Sequence, residues 1–131
     1  MNKEKYRQLI DVHVLHQIWT SELQLALQEV DFWEKLLGTL NEGLDPTLTD
    51  EKSWRNELSQ LHHFRRLTTR LLDEIRLINA EVADGVRTNS VLNRENRLDH
   101  QYLRLEVASF LADFRKFRTE IRHYLVAQPT F

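Results

Sequence analysis

Apolar residues return along the first third of this chain in alternating steps of three and four. The series is Val12, Trp19, Leu23, Ala26, Val30, Trp33, Leu37, Leu40 and Leu44, and His16 stands within it. That spacing is the seam of a long α-helix packed against other helices. A second row on the same segment, Ile10, Val14, Ile18, Leu25, Phe32 and Leu36, widens the stripe beyond a two-stranded seam. A helix with so broad an apolar surface needs two neighbours. The helix is predicted from Lys3 or Glu4 to about Glu42, ended by Gly43 as a left-handed cap with Asp45-Pro46 beyond it. At about 1.5 Å per residue it is roughly 60 Å long. Gly38 falls inside its last turns, where glycine costs about 1 kcal/mol relative to alanine and marks fraying or the close approach of another element.

The same periodicity returns twice. Thr49 or Thr47 is placed to cap a second helix, with Asp50 and Glu51 in its first turn, where carboxylates suit the helix dipole. Its buried row is Trp54, Leu58, Leu61, Phe64, Thr68, Leu71, Ile75, Ile78 and Val82, and Gly85 is the expected stop. Residues 86–93 read as a loop in which Ser90 or Asn93 caps a third helix. That helix is predicted over 94–127, with the seam His100, Leu103, Val107, Phe110, Phe114, Phe117, Ile121 and Tyr124. Helices of similar length joined by short connections fold back on one another. The expected fold class is therefore all-α, an elongated antiparallel three-helix bundle running up-down-up, with room for a short extra helix in the second connection near Val91.

Folding the helices back assigns each residue a height. His13 and His16 fall beside residues 75–79 and His100 near one end, Glu22 falls beside Arg70, and Glu29 falls beside His63 and Arg66. Ala26, Thr68, Ser109 and Ala112 share a height in mid-bundle. They leave a cavity there unless Trp19, Trp33, Phe64 and Phe110 fill it, as interdigitated cores do.

Composition removes whole classes of chemistry. The 131 residues are one domain's worth, enough to bury a core without a staple. The chain contains no cysteine, which excludes disulfides, thiolate metal sites and cysteine nucleophiles. No apolar leader follows the first methionine, and the longest uncharged run, residues 12–21, is far short of the roughly 20 apolar residues that span a bilayer. The expectation is a soluble cytoplasmic protein that engages neither a membrane nor, at a net charge of −2, nucleic acid. Charge is unevenly placed: residues 1–44 hold four Lys/Arg against seven Asp/Glu, whereas residues 85–131 hold eight against five. An acidic first helix and a basic third favour each other's docking.

Candidate chemistry is sparse. His16 and His100 occupy core positions on different helices at one height, with Glu74 within about a turn on the remaining helix and His13 as a fourth donor. Imidazoles and a carboxylate converging inside a bundle suit a divalent transition metal such as iron, zinc or manganese. A histidine at a seam position also serves as a satisfied polar group that fixes register. The ferritin-type signature requires two Glu-x-x-His pairs, and Glu120-x-x-His123 is the only copy; hemerythrin-type spacing is absent. Asp99, Glu106, Asp113 and Glu120 fall at heptad spacing where bundles place solvated charges facing arginines. Arg115, Lys116, Arg118 and Arg122 form a basic face without interleaved aromatics. No glycine-rich phosphate loop or nucleophile elbow exists.

The run Trp19-x-x-Glu22-Leu23, Phe32-x-x-Lys35-Leu36-Leu37, Leu61-x-His63-Phe64, Asp73-Glu74-Ile75, Asp99-His100, and Phe110, Phe114, Phe117, Arg118 with Tyr124-Leu125 resembles small helical proteins of the Bacteroidota. That group has no assigned activity, so the resemblance implies the three-helix fold and no chemistry. Long helices with broad apolar stripes and no catalytic constellation point to a non-enzymatic interaction or scaffold protein, with a protein partner, a homodimer, or both. The alternative expectation is a metal-binding bundle using His16, His100 and Glu74.

Overall fold

The computed structural model describes residues 3–42, 51–89 and 94–128. These residues form three helices, α1 (Lys3–Glu42), α2 (Glu51–Asn89) and α3 (Arg94–Val126), and no strand. The all-α three-helix bundle expected from the periodicity is the fold. None of the three helices is long and apolar enough to cross a membrane.

Boundaries follow the sequence except at Gly85. There α2 continues to Asn89, because a glycine penalty of about 1 kcal/mol does not end a helix held by packing along the rest of its length. Residues 86–89, expected in a loop, are its last turn. Among the described residues there is no fourth helix. The expected caps Gly43, Thr47, Thr49, Ser90 and Asn93, the last seam residue Leu44, and the segment at Val91 lie outside the described residues.

Side-chain contacts fix the up-down-up order. Trp54, early in α2, donates its indole N–H to the Leu37 carbonyl late in α1 at 2.9 Å, while Asn79, late in α2, meets His16 early in α1 at 2.9 Å. Phe64 of α2 packs on Phe110, Phe114 and Phe117 of α3 with ring centroids 5.9, 5.3 and 5.0 Å away. This aromatic cluster fills the space between α2 and α3 at mid-bundle, while Ala26 lines a groove of about 270 Å³ between α1 and α3 with Leu111 and Phe114. Ala26 and Thr68 are buried beside it, whereas Ser109 and Ala112 point to solvent. The buried Thr68 hydroxyl donates to the Phe64 carbonyl of its own helix at 2.6 Å, which satisfies it without a partner across the bundle.

Opposite charge on α1 and α3 is realised as a bidentate pair. Arg118 reaches Glu29 through Nε at 2.6 Å and Nη2 at 2.7 Å, and its guanidinium lies 5.3 Å from the Phe114 ring centre. The expected neighbours of Glu29 are His63 and Arg66 of α2; height alone does not say which flank of α1 a side chain occupies, and Glu29 lies on the α3 side. The α2 side of α1 carries Asp31 and Glu34, which share Arg65. Arg70, expected at Glu22, pairs with Glu106 at 3.4 Å and Glu74 at 3.6 Å.

A methyl group added at Gly38 meets nothing within 4 Å, so the glycine is not there for close approach. Gly38→Ala is expected to raise stability by about 0.5–1 kcal/mol through helix propensity and reduced unfolded-state entropy, read as a higher urea midpoint at unchanged slope.

Candidate functional site

The first candidate is a polar cluster in the core, to which each of the three helices contributes one side chain. The seam of α1 turns His16 inward, leaving it 1% exposed, and the seam of α3 does the same to His100, 9% exposed. Their rings meet edge to edge, His16 Nε2 lying 3.1 Å from His100 Nδ1. The other nitrogen of His16, Nδ1, lies 2.9 Å from Asn79 Oδ1 of α2. Trp19, one turn beyond His16, stacks on the His100 ring at 5.2 Å and 25°. With the amide oriented this way, His16 donates from Nδ1 to Asn79 and accepts at Nε2 from the Nδ1–H of His100. Both rings are then neutral and every facing nitrogen is used. Burial lowers the proton affinity of both histidines. The hydrogen bond to Asn79 partly offsets this at His16 and the nearby His13 adds to it, while His16 and Arg104 lower the affinity of His100 further. One added proton can be shared along the 3.1 Å contact; two would set donor against donor.

The structure brings His16 and His100 together and leaves Glu74 and His13 out. Glu74 turns toward Arg70, and Asn79 takes the place beside His16. His13 is exposed. Among the described residues no group of three or more histidine, aspartate or glutamate side chains is arranged to hold a metal ion. The two nitrogens of His16 are directed at Asn79 and His100.

The second candidate is on the outside of α1. Ile10, Val14, Ile18, Leu25 and Phe32 remain between 43% and 61% exposed. Of the second apolar row only Leu36 packs against the core; α1 has its two neighbours, and they leave the other five side chains uncovered. At 100° per residue these five lie along one outward face together with Gln17, Ser21, Gln24 and Gln28, all exposed. From Ile10 to Phe32 that face carries no charged residue. The charges of this segment sit on its flanks and address the neighbouring helices: Asp11 borders a groove with Arg97 and Arg104 of α3, Glu22 borders another with Arg115 and Arg118, Glu29 pairs with Arg118, and Asp31 pairs with Arg65. Arg7 and Lys35 bound the neutral stretch at its ends. A solvated helix face more than six turns long ordinarily alternates charges of both signs.

No family model, curated protein or solved structure matches this chain.

A groove of about 530 Å³ between α1 and α3 connects the two candidates. Val14 of the outward row and His100 of the buried pair both line it. A smaller apolar patch lies elsewhere, formed by Leu98, Tyr102 and Leu105 on α3, with Leu77 exposed on α2. Sequence reasoning places Asn79 at the right height but misses its part in the cluster. It sits next to Ile78 and four residues after Ile75 in the buried row, the signal of a polar side chain at the core boundary.

Proposed function

We propose that this protein is a non-enzymatic helical interaction protein whose docking surface is the outward face of α1. The observation that carries this reading is the uncharged face from Ile10 to Phe32, with five large apolar side chains 43–61% exposed over about 33 Å of helix. Apolar rows of that length on surface helices mark protein contacts. The buried pair His16 and His100 takes a supporting part, fixing the register of α1 against α3 at the end where the outward row begins.

A photo-crosslinking amino acid at Leu25, introduced in the cells that make the protein, tests the reading. One discrete adduct is expected on irradiation, with none from the same group placed at exposed Arg76 on α2. The same absence of adducts at both positions would overturn it.

A further inference from the structure

Resting on that reading, we infer that the occupant of the α1 face is a second copy of this chain, docked with its own α1 antiparallel and the two-fold axis passing at Ser21. The positions of the face are spaced symmetrically about residue 21. In an antiparallel pair Ile10 meets Phe32, Val14 meets Gln28, Gln17 meets Leu25, Ile18 meets Gln24, and Ser21 meets itself. Large side chains thus oppose apolar or amide side chains along the whole row, and the smallest residue falls where two helix axes approach most closely. An isologous contact sets a surface against its own copy, so any charge near the axis meets a like charge. This face carries none between residues 10 and 32; the same pairing sets Arg7 against Lys35 only at the two ends of the row, about 21 Å from the axis, where both are exposed. Glu22, the carboxylate nearest the axis, lies on the α3 flank and lines a groove with Arg115 and Arg118. A partner with a charged helix would find no counter-charge here.

The patch at Leu98, Tyr102 and Leu105 is a poorer occupant. It extends over eight residues of α3 against twenty-three of α1, so most of the row would stay uncovered. Pairing unlike patches would also build open chains instead of a closed dimer.

The absence of cysteine from the chain makes the test direct. Ser21 is exposed, so Ser21→Cys leaves the fold intact. At the two-fold axis its Cα lies within the roughly 4.4–6.8 Å of its mate that a disulfide spans. Mild oxidation of Ser21→Cys is expected to convert most of the protein to a covalent dimer. Ile10→Cys is expected to remain unlinked alone and to link when mixed with Phe32→Cys. Self-linking of Ile10→Cys would show a parallel pair, in which every residue of the face meets its own copy, and would overturn the arrangement whether or not Ser21→Cys links. A monomeric protein with Ser21→Cys unlinked overturns the inference altogether. In that case a photo-adduct from Leu25 with a different protein leaves the docking face standing, and no photo-adduct removes both.

Discussion

Phe110→Ala is expected to cost about 3–5 kcal/mol, the largest effect of any single side chain in the bundle. Phe110 is 1% exposed and packs edge-on against Phe64 at 5.9 Å and stacked on Phe114 at 5.7 Å. Ala26 and Thr68, buried in the same core, are too small to fill the void, and Phe64 and Phe114 are held by their contacts with Phe117. Against a total stability of about 5–15 kcal/mol for a domain of this kind, the variant is expected to retain its helices and to unfold at a much lower urea concentration. Leu105→Ala is the matched control: Leu105 is 72% exposed, and its removal is expected to change stability by less than about 0.5 kcal/mol. A Phe110→Ala cost below that of an ordinary surface change would mean that the aromatic cluster is not the core.

The second large effect belongs to the histidine pair. His16→Leu removes two hydrogen bonds and leaves His100 Nδ1 and Asn79 Oδ1 without their partner. Unsatisfied buried groups cost about 1–3 kcal/mol each. Asn79 is half-buried and recovers part of its loss from water, so a total of about 2–3 kcal/mol is expected. Adding His100→Leu is expected to return part of it, since the orphaned imidazole is then gone; the double-mutant cycle reads that coupling. The pair also fixes a pH dependence. Both histidines have proton affinities lowered in the folded state, so below about pH 6.5 the unfolded chain binds protons that the native chain does not. Stability is therefore expected to fall as pH drops from about 6.5 and to level off once the folded-state values are passed. Glu57, whose carboxyl is pushed up by burial and by Glu120, acts in the opposite sense at lower pH. Comparing wild type with the His16→Leu/His100→Leu variant cancels that background, and only wild type is expected to lose stability just below about pH 6.5. Equal slopes for the two proteins would contradict the buried neutral pair.

The elements were legible in the sequence because two separate signals agree along α1: apolar spacing, and the Gly43 and Asp45-Pro46 stop. The end of α2 was not legible, since Gly85 carries the same letter whether it ends a helix or is carried through by packing. Heights across the bundle were readable to within a turn, which is why the histidines that share a level, His16 and His100, meet as expected. Azimuth was not. Glu74 and Asn79 are five residues apart, which turns them about 140° from each other on α2, and only the packing of three helices decides which one faces His16. The same ambiguity sends Glu29 to the wrong neighbour. The outward row of α1 was visible as a pattern, but a row of apolar letters looks the same whether a helix of the same bundle or a second molecule covers it.

The measurement that bears most directly on the α1 face is the mass of the full chain by light scattering at increasing concentration, beside that of Ile18→Lys/Leu25→Lys. Both positions are exposed within one chain, 45% and 61%, so the double substitution is expected to keep the helix content and thermal transition of an isolated bundle. If the face is a dimer contact, the wild-type mass reaches and holds twice the chain mass while the substituted protein stays at one. A wild-type mass that remains at one chain at every concentration would contradict it.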